Sequence, residues 1–390
     1  MPTPAYDLGP LAAIALVGAL LAFGPLAWVA FRHRGAAGPA RLQALMVITL
    51  FLTFDLVLFG AYTRLTDSGL GCPDWPGCYG HASPIGAAAP IDAAQAALPT
   101  GPVTPKKAWI EMTHRYLATG VGALIVAMLL LRWREARKGA AHGAMVWPLA
   151  TLVWVCLQGA FGALTVTMKL YPAIVTAHLL GGLVLLALLT VQCQIGARAV
   201  VALPAALRRA ALALAAVSVV QITLGGWVST NYAALACGDF PTCQGQWWPP
   251  MDFDHGFAPL RELGADRHGG QLTFAALTAI HYVHRLGAYV VLAAMALFAW
   301  RLHAGRDPAM QPWARGVAAV AAWQLATGLS NVVFGWPLLA AVAHTAGAAA
   351  WVVLITALLT ASRTASHSPS AATAGAPRPL RKMPLPAARP

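Results

Sequence analysis

The sequence predicts an all-α integral membrane protein, built from two repeated four-helix transmembrane bundles and one extra amino-terminal transmembrane helix. Three observations lead to this prediction. Of the 390 residues, 58% are hydrophobic and only 10% are charged, long apolar runs recur along the chain, and short motifs repeat at a nearly constant offset. Soluble domains carry roughly a quarter charged residues, so a water-soluble globular protein is excluded.

Nine apolar runs are long enough to cross a membrane, since a spanning helix needs about 20 mostly apolar residues. The first run is not predicted to be a cleaved signal peptide, because no basic residue precedes its apolar part and no clear cleavage site follows it. The nine runs are 9–31, 42–63, 109–131, 145–168, 172–195, 210–230, 273–300, 314–335 and 338–361.

The distribution of basic residues predicts the orientation of these spans. Lysine and arginine concentrate in the tail and in the short connections on one side of the predicted membrane. The two long loops on the other side, 64–108 and 231–272, hold few of them. The positive-inside rule then places the amino terminus and both long loops outside and the tail in the cytoplasm. The net charge of +13 reflects this topology. Nucleic-acid binding is not predicted, because the basic residues do not form one face.

Motifs repeat between the two halves of the chain, which often indicates a site at matching positions of each half. The pattern C-x-D-aromatic-P-x-C occurs twice at an offset of 165, a His-Arg pair recurs at 170, and a later histidine recurs at 166. We therefore divide the chain into five segments: 1–41 (extra helix and loop), 42–195 (first bundle), 196–209 (cytoplasmic linker), 210–361 (second bundle) and 362–390 (disordered cytoplasmic tail, rich in Pro, Ala, Ser and Arg).

Four repeated histidines lie inside the predicted spans, where polar side chains are costly and often mark a site. His114 and His178 belong to the first half, and His284 and His344 to the second. All four fall in the outer half of the membrane. Two histidines from neighbouring helices can bind one haem iron from both faces, whereas zinc or copper needs three or four converging ligands. We predict one haem site in each half; the alternative is that the histidines are hydrogen-bonded packing residues.

Charged residues beside these histidines predict different roles for the two halves. Arg115 and Arg285 each follow a histidine and are candidates for binding haem propionates, with snorkelling to the headgroups as the alternative. Glu111 lies one turn before His114, where the second half has His281. A carboxylate there is useful for proton transfer, so the first half is predicted to be reactive. Alternatively, Glu111 only stabilises the helix amino terminus.

Four cysteines form two close pairs in the long outer loops, where disulfides persist. Cys72 and Cys78 are six residues apart, as are Cys237 and Cys243, so each pair is compatible with a bridge inside its loop. A structural bridge and a redox-active pair both remain open. A third, less favoured alternative is a zinc site that also uses His81, His255 or His268.

Over about residues 42–361 the chain resembles the haem A synthases of the CtaA type. The resemblance is carried by the order and spacing of several motifs together. They are Gly60-Ala-Tyr-Thr-Arg-Leu-Thr-Asp-Ser-Gly-Leu-Gly-Cys-Pro-Asp-Trp-Pro-Gly-Cys78, Glu111-Met-Thr-His-Arg115, His178, His284-Arg285 and His344. Members of this family are usually described with eight helices, so the span at 9–31 is an addition.

The resemblance implies an oxidoreductase that converts the C8 methyl group of haem O to a formyl group by successive hydroxylations. Its product is haem A for cytochrome c oxidase. It further implies that His284 and His344 hold a haem b cofactor, that His114 and His178 take the substrate haem, and that Glu111 takes part in the chemistry. Some relatives lack the cysteines of the first loop, so Cys72 and Cys78 are not universally required.

The resemblance also implies partners and a location. Haem O is the substrate, a haem O synthase is the expected neighbour, and the lipid bilayer is the medium. No flavin, nucleotide or iron–sulfur motif is present in the sequence, so an unidentified electron-transfer partner is required. The location is the bacterial inner membrane, with the cysteine loops in the periplasm. A homo-oligomer is left open. The alternative function is a di-haem b, quinol-linked electron-transfer protein, which typically places its haems near opposite faces.

Overall fold

The computed structural model describes residues 9–137, 145–198, 200–266 and 268–366, with side chains up to residue 362. In these ranges the regular structure is helical and contains no β-strand. The tail was predicted to be disordered from residue 362, which is wrong for residues 362–366, because they continue the last helix; the rest of the predicted tail lies outside the described residues. The helices are Gly9–Arg32 (α1), Gly38–Leu65 (α2), Ala88–Ala97 (α3), Pro105–Arg137 (α4), Val146–Thr167 (α5), Pro172–Ala197 (α6), Ala205–Thr230 (α7), Phe253–Gly256 (α8), Phe274–Ala304 (α9), Gln311–Val333 (α10) and Leu338–Ser366 (α11).

Within the described ranges, nine helices are long and apolar enough to cross a membrane, and they coincide with the nine predicted spans. The prediction of a multi-pass membrane protein is therefore confirmed. Several helices extend beyond the predicted ends because local signals set their limits. For example, α4 begins four residues early, at Pro105, since the Thr104 hydroxyl accepts the Lys107 N–H and proline suits a first helical position.

Two helices outside the spans were not predicted. The sequence analysis assigned no secondary structure within the long loops 64–108 and 231–272, where the structure has α3 and the single-turn α8. The alanine-rich sequence of α3 favours a helix, and the Asp252 carboxylate caps α8 by accepting the His255 N–H. Because α3 carries Ile91 into the same buried cluster as Cys72 and Cys78, it covers the first cysteine pair.

The helices form one connected bundle. Helices α2, α4, α5 and α6 pack together along the first half, and α7, α9, α10 and α11 along the second. The halves meet where α6 contacts α7 and α11, and where α2 contacts α11. A buried cluster that includes Leu183, Leu186 and Ala349 fills this seam. Large apolar side chains such as Phe51 and Val220 remain exposed on the outside, as expected for helices that face lipid.

A polar clasp joins the halves at one end of the seam. The Arg64 side chain, at the end of α2, donates to the Ser229 carbonyl at 2.6 Å, and its guanidinium lies 3.9 Å from the centre of the Tyr232 ring. The Tyr232 hydroxyl donates to Asp67 at 2.6 Å, and Lys107 forms an ion pair with the same carboxylate at 3.0 Å. Although burial opposes it, these hydrogen bonds lower the pKa of Asp67.

Helix α1 packs on α4 and, more lightly, on α2. The closest approach is at Gly18, where an added Cβ atom would lie 2.5 Å from the Thr119 methyl carbon and 2.8 Å from the Thr119 backbone carbonyl carbon. Gly120 on α4 lies beside the same crossing, since an ideal Cβ atom built on it would lie 3.6 Å from the Gly18 carbonyl oxygen. Small residues let membrane helices approach closely, so α1 is fitted to α4 rather than loosely attached to it.

The α1–α4 contact makes a testable prediction about Gly18. Replacing Gly18 by Leu must push α1 away from the Thr119 backbone, which should cost roughly 1–3 kcal/mol of stability. Gly24→Leu is a matched control in the same helix, because nothing lies within 4 Å of an ideal Cβ atom placed there. Thermal unfolding of the detergent-solubilised variants compares them; equal melting temperatures would contradict the tight crossing.

Candidate functional site

The structure brings the four predicted histidines together as two pairs. His114 on α4 lies close enough to His178 on α6 for the two rings to interact electrostatically, and His284 on α9 does so with His344 on α11. All four residues are half-buried rather than fully covered. Part of each of these residues therefore remains accessible.

Each histidine ring rests against a glycine on a neighbouring helix. The distance from an ideal glycine Cβ position to the histidine Cε1 atom is 3.0 Å for Gly60 to His114, 3.5 Å for Gly162 to His178, 3.0 Å for Gly225 to His284 and 3.2 Å for Gly328 to His344. A side chain at Gly60 or Gly225 would push the ring aside. These two glycines were not predicted as ring contacts, although their spacing of 165 residues was a signal that could have found them.

The two pairs differ in what the ring nitrogen Nδ1 contacts. His284 Nδ1 lies 3.0 Å from the Gln221 amide nitrogen, and His344 Nδ1 lies 2.9 Å from the Thr327 hydroxyl. By contrast, the buried Nδ1 atoms of His114 and His178 have no hydrogen-bond partner among the described residues. The second pair is thus held in a set orientation, whereas the first pair is not.

These features fit a haem better than a compact metal ion. Each pair offers two imidazole rings from two different helices, as bis-histidine binding of a haem iron requires, and the glycine beside each ring takes up little space there. Within the described ranges, no group of three or more His, Cys, Asp or Glu side chains could hold a metal ion. The zinc and copper alternatives therefore have no supporting site in this part of the chain.

Glu111 is buried, with only 4% of its surface exposed. One carboxylate oxygen accepts the Cys72 backbone N–H at 2.8 Å, and the other pairs with Arg115 at 2.5 Å. Glu111 is therefore not exposed to water at the helix start, and its part in the chemistry stays a prediction. His281, which takes this place in the second half, instead has Nδ1 at 3.1 Å from the Ala233 carbonyl.

Arg115 and Arg285 are bound to the cysteine loops. Arg115 donates to the carbonyl oxygens of Asp74 and Gly77 at 3.0 and 2.5 Å. Arg285, which is 7% exposed, donates to those of Asp239 and Thr242 at 3.0 and 2.7 Å. Snorkelling to headgroups does not describe the buried Arg285. The propionate roles predicted for both arginines stay predictions.

Both cysteine pairs are disulfides, Cys72–Cys78 and Cys237–Cys243. All four cysteines are fully buried, and bridged sulfurs cannot act as zinc-binding thiolates. The same hydrogen-bond pattern also occurs in each of the two loops. The carboxylates of Asp74 and Asp239 each accept two backbone N–H groups that follow the second cysteine, from Tyr79 and Gly80 in the first loop and from Gln244 and Gly245 in the second.

Asp239 shows how strongly this carboxylate is bound. The Thr242 hydroxyl and the backbone N–H groups of Gly245 and Gln244 donate to it and lower its pKa to about 2. The pKa of an ordinary aspartate is about 3.9. The stabilisation that Asp239 gives to the folded loop is therefore complete above about pH 4 and is lost as the pH falls towards 2.

We expect Asp239→Asn to expose the Cys237–Cys243 bridge, because an amide oxygen cannot replace the charged acceptor of several donors. Reduction of the bridge, followed by thiol labelling and mass spectrometry, should be about tenfold faster than in the unsubstituted protein at neutral pH. With a phosphine reductant, whose reaction does not need a thiolate, the difference between the two proteins should shrink as the pH falls from 4 to 2, because the Asp239 carboxylate becomes protonated. Asp92→Asn, on exposed α3, is the control, and equal rates for the two variants would refute the role of Asp239.

Comparison with known proteins identifies related sequences. Residues 43–358 match the family model COX15-CtaA, described as cytochrome oxidase assembly protein. Three similar proteins are each named "Heme A synthase". The one from Shewanella oneidensis is 39% identical over 79% of this chain and 93% of its own. Those from Methylorubrum extorquens and Methylobacterium radiotolerans are 30% and 28% identical, over 88% and 77% of this chain and 92% and 84% of theirs.

Proposed function

Because the chain belongs to the COX15-CtaA family of cytochrome oxidase assembly proteins, we propose that it acts as a haem A synthase. The reaction is oxidation of the C8 methyl group of haem O to a formyl group by successive hydroxylations, which makes the protein an oxidoreductase. The observation that carries the proposal is the presence of two histidine pairs with a buried carboxylate, Glu111, on the helix of only one pair. A purely electron-carrying di-haem protein has no need of that carboxylate.

The second pair, His284 and His344, is assigned to a haem b cofactor. The contacts of Gln221 and Thr327 with the Nδ1 atoms limit rotation of the two rings. Iron binding at Nε2 leaves the proton on Nδ1, where the Thr327 hydroxyl oxygen can accept it; Gln221 can accept it only with its amide oxygen turned towards the ring. When bound, haem b supplies one-electron transfer. Electrons are exchanged with an unidentified partner protein.

The first pair, His114 and His178, is assigned to the substrate haem O. A substrate must enter and leave, so rings without a fixed Nδ1 partner suit this site better than the second. Haem O carries a long apolar tail, which is compatible with entry from lipid between helices or with direct delivery by a haem O synthase. Arg115, in the amino-terminal part of α4, binds the first disulfide loop by donating to the Asp74 and Gly77 carbonyls.

Glu111 is proposed to accept or hold a proton at its carboxylate during oxidation of the methyl group. Arg115 stabilises the ionised form, and the Cys72 N–H orients one oxygen. Burial excludes water from the carboxylate, so a proton that it takes up is not exchanged freely with solvent. The Cys72–Cys78 bridge is assigned a structural role here, because it presents the Cys72 N–H to Glu111.

The topology proposed for this function is a parallel repeat of 42–195 and 210–361, with the extra helix in 1–41. The matching hydrogen bonds of the two disulfide loops support this division. The loops face the periplasm of the bacterial inner membrane, and the tail is cytoplasmic, as the distribution of basic residues predicts. Both haem sites then lie near the periplasmic side.

The test of the activity uses a bacterium that makes haem O but no haem A. Expression of the chain should produce haem A or its hydroxylated precursor, detected by chromatography with mass detection of extracted haems. Glu111→Gln keeps an oxygen that can accept the Cys72 N–H but removes the charge, so product should fall by about 100-fold or more while haem b still co-purifies. Haem A formation that is unchanged in Glu111→Gln would remove Glu111 from the mechanism.

The cofactor assignment is tested by separate substitutions in the two pairs. His284→Ala or His344→Ala should abolish the six-coordinate low-spin haem b spectrum of the purified protein. His114→Ala is the matched variant at the other site: it should keep that spectrum and lose haem O conversion. Loss of haem b in His114→Ala together with retention in His284→Ala would reverse the assignment of the two sites.

A further inference from the structure

A second buried cation, Arg261, lies in the long loop between α7 and α9. It is 3% exposed, although arginine is among the residues that are rarely buried without a charged partner. Its guanidinium nitrogens donate to the Asn231 side-chain oxygen at 2.5 Å and to the Ala265 carbonyl at 3.2 Å. Its Nε atom is buried and has no hydrogen-bond partner among the described residues.

Arg261 has only neutral partners. The ion pairs seen at Lys107, Arg115 and His255 have no counterpart at Arg261 among the described residues. Burying an unpaired charge costs several kcal/mol in general, and burial accordingly lowers the pKa of Arg261. The guanidinium thus keeps an unused N–H that an anion from outside the described chain could accept.

The surroundings hold Arg261 in place. The Asn231 amide nitrogen donates to the Trp227 carbonyl at 2.8 Å, which fixes its oxygen towards Arg261. The guanidinium lies 5.5 Å from the centre of the Trp227 ring, and the Trp227 indole N–H donates to the Gly256 carbonyl at 2.9 Å. The guanidinium is thus held by buried groups rather than free to move, as a binding site for a flat anionic group requires.

The position of Arg261 relates it to both histidine pairs. Asn231 and Trp227 are at the end of α7, a few residues after Gly225, against which the His284 ring rests. Arg261 also lies close enough to Tyr171, at the start of α6, to interact with it electrostatically, and α6 carries His178. The guanidinium therefore lies near the ends of two helices, α6 of the first histidine site and α7 of the second.

We propose that Arg261 binds an anionic oxygen group of a ligand, and that a haem propionate supplies it. This inference rests on the proposed function, since the haems that bind at the histidine pairs carry carboxylates. A phospholipid phosphate has the same chemistry and is the competing source. The propionate is favoured because Arg261 is enclosed by the loop and the ends of α6 and α7, whereas a headgroup requires an open surface.

Two variants test the site in different ways. Arg261→Gln removes the charge but keeps hydrogen-bonding groups. Asn231→Asp places a carboxylate where Arg261 already has an acceptor, so the guanidinium is neutralised from within. This variant gives up the side-chain hydrogen bond to the Trp227 carbonyl, although that carbonyl still accepts the backbone N–H of residue 231 at 3.2 Å. Lys106→Gln removes an exposed cation and is the matched control.

The full-length purified variants are compared by haem b content and midpoint potential, by spectroscopic titration with haem O, and by mass spectrometry of co-purified phospholipid. Loss of a charge-assisted hydrogen bond should weaken binding by about tenfold to a hundredfold. We expect both Arg261→Gln and Asn231→Asp to weaken haem binding or to lower the haem b potential, because a nearby cation disfavours the oxidised, more positive iron. Lys106→Gln should change neither.

The other outcomes are equally informative. Loss of bound anionic phospholipid with unchanged haem properties would overturn the propionate and assign the anion to lipid. Unchanged haem and unchanged lipid in both variants would overturn the anion site altogether. None of these measurements needs turnover, so absence of haem A formation in the unsubstituted protein would count against the proposed function without deciding the role of Arg261.

Discussion

The structure depends on one constraint, that polar groups buried among apolar helices must find partners inside the protein. Arg115 and Arg285 meet it by donating to carbonyl oxygens of the two disulfide loops. Those carbonyls belong to irregular backbone and also need donors. Each arginine thus attaches a loop to the helix that carries a site histidine, so the loop and the histidine cannot be placed independently.

The two halves use the same framework and differ in the residues that carry chemistry. Gln221 and Thr327 contact the ring nitrogens of His284 and His344, whereas the residues at the corresponding sequence offsets of 165 and 166 are Leu56 and Phe161, which offer no hydrogen bond. Likewise, Glu111 is replaced by His281. A resident cofactor benefits from fixed ligands and a substrate from adjustable ones. Under the proposed assignment, these substitutions would give the second half a holding site and the first half a reacting site.

Much of this arrangement could be predicted from the sequence. The nine spans follow from apolar length alone, and the histidine pairs follow from the repeat. The contacts of Arg115 and Arg285 could not be predicted, because the carbonyls that they bind converge only when the loops fold. Arg261 was missed for a related reason: it belongs to no repeated motif, and its burial results from the packing of a long loop against Trp227. Helix α3 was missed because it has no apolar run.

Helix α1 adds a further difference between the halves. It lies outside the residues that match the family, yet Gly18 fits closely against Thr119 and beside Gly120 on α4. At the offset of 170 that relates His114 to His284, α9 has Tyr289 and Val290, which are 43% and 62% exposed. Bulky side chains there leave no groove for a helix. Helix α4, which carries Glu111 and His114, therefore packs against α1 on a face that is exposed in α9. If the first pair must accept and release a ligand while its rings lack fixed partners, rigidity has to come from the helix backbone, and α1 supplies a packing surface for it.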